Sequence, residues 1–233
     1  MAGRMIEWLR RVPGALAVAR RLRSSRGQAP GSFVGSAEYW RQRYARGGDS
    51  GPGSYGKFAE FKARVLNAFF AEEGIATVIE FGSGDGNQLK LLTVPDYLGV
   101  DISAAAVAAC RATFAETPGR RFVLADDYRG ERAECSLSLD VIYHLVEDAA
   151  FERHMHQLFA AATRSVVIYS SNREADAADG KHVRHRPFTE WVAHHEPGWT
   201  LQRHVPNDFP FTGDYRSGSF ADFFFYVPRP TGE

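Results

Sequence analysis

The sequence predicts an α/β fold: a largely parallel sheet with helices on both faces. Short runs rich in β-branched and aromatic residues alternate with amphipathic helical stretches from Thr77 to Ser170, the pattern of right-handed βαβ crossovers. A glycine-rich turn closes the first of these runs, where such sheets open onto a ligand crevice. At 233 residues, 44% hydrophobic and 24% charged, the chain is long enough for one domain with a full core.

Residues 1–31 read as a basic arm and linker. Seven arginines (positions 4, 10, 11, 20, 21, 23 and 26) face one acid, Glu7, so residues 1–30 carry +6 and the rest −6, since the whole chain sums to zero. Arg10, Arg11, Pro13 and Gly14 interrupt the apolar stretch a secretory signal requires. Met5–Val12 and Leu16–Leu22 suggest two short helical pieces suited to weak peripheral contact with an anionic membrane surface. The acidic body makes a poor general binder of nucleic acid. No apolar run approaches the roughly 18 residues of a membrane span. These readings place the protein in the cytoplasm, with the arm at the inner membrane surface. Cys110 and Cys135 lie in no CxxC pair, which excludes a zinc ribbon and a redox motif.

Residues 32–233 form the predicted catalytic domain. Glu38–Tyr44 is an aromatic helix, and Gly47–Gly56 a flexible loop fit for a lid over a site. Lys57–Glu73 repeats apolar residues at helical spacing through Phe58, Phe61, Val65, Leu66, Phe69 and Phe70. Strands follow at Thr77–Phe81, Tyr97–Val100, Phe122–Ala125, Ser136–Asp140 and Ser165–Ser170. The clearest helices between them are Ser103–Glu116 and Ala149–Thr163. A helix near Pro187–His195 and strands at Thr200–Val205 and Ser219–Val227 complete the domain. Residues 32–73 therefore supply the lid and N-terminal helices, 77–171 the cofactor-binding core, and 172–233 the acceptor-side loop and last strands.

The chemistry begins at Glu80-Phe81-Gly82-Ser83-Gly84-Asp85-Gly86-Asn87. Glycine lets backbone approach a ligand that a side chain would hold off, and a helix is expected after the turn. A dinucleotide fingerprint, GxGxxG, would place its third glycine at Asn87; here that glycine is Gly86. The resulting ExGxGxG resembles motif I of the class I S-adenosylmethionine (SAM)-dependent methyltransferases. Asp101, ending the next strand before Ile102, matches the family acid that grips the ribose hydroxyls. Asp126, with Asp127 as its neighbour and competitor, matches the acid that meets the adenine amino group. Leu139 and Asp140 end the fourth strand, beside the expected sulfonium and acceptor.

The resemblance implies a Rossmann-like seven-stranded sheet, mostly parallel with an antiparallel C-terminal strand, and SAM as cofactor. It implies a transferase that needs neither a covalent nucleophile nor a metal. A general base would help a hydroxyl acceptor. His144 is the first candidate, with an ordinary pKa suited to neutrality, and Asp140 the second. Asp140 and His144 at i, i+4 could share a metal in this family, but Tyr143 stands where the added acid would be. Tyr39, Tyr55 and Tyr143 are expected on the acceptor side. His182, Arg184, His185 and Arg186 form an expected anion clamp, since arginine matches carboxylate or phosphate bidentately. The predicted activity is O-methylation of an anionic small molecule. The chain is also similar to small bacterial methyltransferases of cell-surface glycan pathways, which implies a sugar-type acceptor. An NAD(P)-dependent oxidoreductase and a non-catalytic cofactor-binding module at a membrane surface are the alternatives.

Overall fold

The computed structural model describes residues 33–176 and 179–230. The chain divides into a unit Met1–Phe33 and a unit Val34–Glu233; the expected basic arm, and the membrane contact expected of it, fall outside the described residues. No helix among the described residues is long and apolar enough to cross a membrane.

Helix α1 (Ser36–Ala45) and a 3₁₀ turn at Pro52–Ser54 precede α2 (Gly56–Glu73), which ends on Gly74 in the left-handed conformation (φ 62°). The sheet strands are β1 (Thr77–Phe81), β2 (Asp96–Asp101), β3 (Arg120–Leu124), β4 (Ala133–Leu139), β5 (Ala162–Ser170), β6 (Trp199–Val205) and β7 (Asp222–Pro228). Helices α3 (Ala104–Thr113), α4 (Asp148–Ala161) and α5 (Phe188–His195) connect them. The order is β3-β2-β1-β4-β5-β7-β6. Strands β1 to β5 pair in parallel, and β7 runs antiparallel to both β5 and β6. The expected mostly parallel seven-stranded sheet is the one observed.

Alternation along the strands divides the core between the two faces. Phe223 and Phe225 of β7 meet Phe61, Leu66 and Phe69 of α2, whereas Phe224 and Tyr226 meet the α4 face of Phe151, Met155, Leu158 and Phe159. The order of strands reverses between β1 and β4. There the carboxyl ends of β1, β2 and β4 leave the crevice expected of a doubly wound sheet.

β3, β4 and β5 begin two or three residues earlier than expected, at Arg120, Ala133 and Ala162, and three further differences have a local cause. The segment after the glycine turn forms only a 3₁₀ turn, Gln88–Leu91, because Pro95 and the start of β2 at Asp96 leave too few residues for an α-helical crossover. Helix α3 stops at Thr113, before Pro118-Gly119; Ser103 is its N-cap, accepting the Ala106 N–H at 3.3 Å. β7 begins at Asp222, since the Ser219 hydroxyl takes the Ala221 N–H and turns the chain just before it.

Candidate functional site

A cavity of about 640 Å³ lies over the carboxyl ends of β1, β2 and β4, within the usual range for a cofactor site. Its floor is the glycine turn. Gly82, Gly84 and Gly86 all have positive φ (86°, 57° and 72°), conformations open to glycine. A Cβ on Gly82 would lie 2.5 Å from Val141 Cγ2, and one on Gly84 2.4 Å from Ser50 Oγ. What passes closest to Gly84 is therefore the chain's own loop.

That loop is strapped down. The Asp85 carboxylate accepts the Ser50 N–H (2.9 Å) and the Tyr55 hydroxyl (2.6 Å), and its own N–H donates to Ser50 Oγ (3.0 Å). Tyr44 shares a hydrogen bond with Ser50, and Asn87 Nδ2 donates to the Ser54 carbonyl. Burial works against the charged form of Asp85, yet the hydrogen bonds from Tyr55, Ser50 and Asn87 outweigh it and hold the carboxyl below its ordinary range. Helix α1 roofs the cavity. Arg41 Nε donates to the Ile102 carbonyl, Ser36 N–H to Glu147 Oε1, and the Val146 N–H to Ser36 Oγ.

Glu80, Phe81, Gly82, Ser83, Asp101, Ile102, Asp126, Leu139, Asp140 and His144 all line the cavity. Gly84, Gly86, Asn87 and Asp127 do not. Of the paired acids, Asp126 faces in, while Asp127 lies 3.9 Å from Arg129 on the outer side. Asp101 is buried and accepts the N–H groups of Gly84 (2.9 Å) and Ser103 (2.8 Å). Burial nonetheless raises its pKa, the hydrogen bonds offsetting only part. Glu80 is pushed up to about 7 by burial, against the hydrogen bond from Tyr97 and the charge of Lys62.

His144 is held by its surroundings. Its Nδ1–H donates to the His182 carbonyl at 3.0 Å, which fixes the tautomer and leaves the lone pair on Nε2. Trp40 lies edge-on at 4.9 Å between ring centres. Burial lowers the pKa to about 4, so the ring is neutral near pH 7 and less basic than an ordinary histidine. Asp140 has both oxygens engaged: Oδ2 by Lys62 Nζ at 2.7 Å and Oδ1 by the Tyr143 hydroxyl at 2.8 Å. An acid so occupied makes a poor free base.

The residues expected to hold the acceptor lie off the cavity. Arg184 and Arg186 donate to the carbonyls of Val146 and Leu145 and pair with Asp148 at 3.0 and 3.1 Å, so they brace the turn that leads into α4. His185 is buried between Ser171 and Asp179. The His182 ring stacks on Tyr39, Tyr143 packs on Phe220, and Tyr55 serves the strap. A clamp built from alternating Arg and His needs every second side chain to face one ligand, and here the 182–186 loop turns them toward its own neighbours.

Lys62, Gln88 and Asp85 are among the cavity residues the sequence reading missed, as are Arg153 and His154. Lys62 is 1% exposed and sits on the otherwise apolar face of α2, four residues from both Phe58 and Leu66. A lysine on that stripe was a readable signal. Gln88 is buried in the cavity wall with its Oε1 unpartnered, a free acceptor awaiting a donor. Seven carboxylates and three basic side chains line the cavity. That wall suits a cationic ligand carrying hydroxyl and amino donors.

No protein-family model matches the chain, and neither does any curated sequence. Solved structures do match. The N-methyltransferase NodS from Bradyrhizobium japonicum WM9, in complex with S-adenosylhomocysteine (SAH), superposes with a TM-score of 0.66 at 11% identity, covering 84% of this chain and all of that one. The magnesium protoporphyrin IX methyltransferase ChlM from Synechocystis PCC 6803, with bound SAM, gives 0.59 at 14% identity over 85% and 99% of the two chains. The methyltransferase domain of bacterial CtHen1 gives 0.57 at 17%, over 72% and 97%. The architecture is the Rossmann-like seven-stranded fold of SAM-dependent methyltransferases.

Proposed function

We propose that this protein is a SAM-dependent methyltransferase acting on a small-molecule acceptor. The observation that carries this reading is the coincidence of the cavity with the acidic positions of the fold: Asp101 and Asp126 in the wall, Glu80 and the orphaned Gln88 Oε1 beside the glycine turn. Asp101 would hold the ribose hydroxyls, Asp126 the adenine amino group, and Gln88 with Glu80 the ammonium end. Bound SAM would supply an activated methyl group; the protein's part is to bind, orient and exclude water.

His144 Nε2 is the base for the proton an acceptor hydroxyl or amine gives up. Its low pKa, about 4, keeps it unprotonated at neutral pH while making it a weaker base than an ordinary histidine, and the His182 carbonyl leaves Nε2 as the nitrogen with the free lone pair. An anionic acceptor fits less well than a neutral or cationic one. Arg184 and Arg186 are committed to the 145–148 turn, and carboxylates outnumber cations in the wall, so an entering anion would meet repulsion.

Calorimetry with SAH and with NAD tests the reading. Saturable SAH binding, weakened about tenfold or more by Asp101→Ala and without competition from NAD, is the expected result. NAD binding in preference to SAH would replace a methyltransferase with an oxidoreductase.

A further inference from the structure

Lys62 and Asp140 form a pair whose cost the fold does not explain. Lys62 Nζ is removed from water, 5.3 Å from the Tyr169 ring centre and 2.7 Å from Asp140 Oδ2. Asp140 itself has a φ of 59°, the left-handed region that aspartate tolerates better than most residues. The strap crosses directly above: a Cβ on Gly53 would lie 2.9 Å from Asp140 Oδ2. Replacing a buried ion pair by apolar side chains is often neutral or stabilising, so stability alone gives no reason for a lysine here. The Asp140 carboxylate also leaves little room for a side chain at Gly53 in the strap.

The Asp140 carboxylate remains 14% exposed, lines the cavity and stands at the end of β4, four residues before His144. Two donors, Lys62 Nζ and Tyr143 OH, fix its orientation from behind, and each carboxylate oxygen retains a second lone pair. We propose that Lys62 is a positioning residue that aims Asp140 at a hydrogen-bond donor on the acceptor, next to the atom that receives the methyl group. The acceptor class this selects is a small neutral or cationic molecule bearing an N–H or O–H donor there. The proposal rests on the cofactor reading above, because that reading makes the end of β4 the acceptor side.

Sinefungin tests this without knowledge of the acceptor. In it an amine-bearing carbon replaces the methyl-bearing sulfur, so its amine stands where the methyl group leaves the cofactor. SAH lacks that group. Calorimetry should give the wild-type protein a preference for sinefungin over SAH of about tenfold or more, as for a charge-assisted hydrogen bond. Asp140→Asn and Lys62→Met should each abolish most of that preference while SAH affinity stays within about twofold. The double variant Lys62→Met/Asp140→Asn should recover the thermal stability that Lys62→Met loses, because no charge is left unpaired, but should not recover the preference. A merely structural pair predicts the opposite: the preference survives in folded Asp140→Asn, and that result overturns the proposal. Wild-type binding of SAH without a preference for sinefungin also overturns it and leaves the cofactor reading intact. Failure of the wild-type protein to bind SAH overturns both.

Discussion

Asp85→Ala should unlatch the strap that crosses the cavity. The Asp85 carboxylate accepts two hydrogen bonds from the strap, from Ser50 N–H and Tyr55 OH. Hydrogen bonds to an ionised group contribute about 1.5–3 kcal/mol each. Tyr55 is 38% exposed, so water replaces part of what is lost, and halving the sum gives about 2 kcal/mol. Local opening of residues 47–55 should then become about 30-fold more frequent, since 1.4 kcal/mol is a factor of ten. Tyr55→Phe removes one of the two bonds and should give about fivefold. Hydrogen–deuterium exchange at the Ser50 amide reads this directly, with the β4 amides of Ser136 and Leu137 as unchanged controls for global unfolding. Ser50 protection within twofold of wild type in folded Asp85→Ala would show that Asp85 does not hold the strap.

The imidazole of His144 should titrate near pH 4 in long-range ¹H–¹⁵N spectra, with the Nδ1–H tautomer across the neutral range. His144 and His154 are both lowered to about 4 by burial, so their stabilisation is complete above the ordinary histidine pKa and is lost as pH falls toward 4. Glu80, raised to about 7, acts in the opposite sense, its contribution falling as pH rises toward 7. Burial also lowers His182 and His185 and raises Asp101, so four histidines against two acids should give a lower Tm at pH 5 than at pH 7.5 by calorimetry. Arg186→Ala should lower stability by about 1–3 kcal/mol through the freed carbonyls of Leu145 and Val146, with SAH affinity unchanged; a selective loss of SAH binding would place Arg186 at the cofactor. Gly84→Val should displace Ser50 from the glycine turn and raise exchange at its amide, the measure used for Asp85→Ala.

Much of this fold is legible in the sequence because parallel strands buried on both faces leave continuous apolar runs. Thr77–Phe81 is read to the residue, and the helix over residues 57–73 to within one. The residues between Asn87 and Asp96 mislead, because a glycine turn ordinarily opens an α-helix and only chain length forbids it here. The site is half legible. Asp101 and Asp140 at strand ends, and Asp126 in the turn that follows β3, line the cavity because the carboxyl edge of the parallel sheet opens onto it. Loop residues have a choice of direction: Arg184, Arg186 and His185 bond to the 145–148 turn, Ser171 and Asp179, partners more than ten residues away for every contact but that with Asp179. Lys62 escaped because helical periodicity weighs the apolar positions of a stripe and overlooks the one polar residue buried among them.

A crystal structure of this chain with SAH shows where the cofactor binds and how it lies. The ligand is expected in the cavity over β1, β2 and β4, with both ribose hydroxyls within hydrogen-bond distance of the Asp101 carboxylate, the adenine amino group beside Asp126, and the amino-acid end against Gln88 and Glu80. SAH bound elsewhere, or in this cavity with the ribose turned away from Asp101, would contradict this placement.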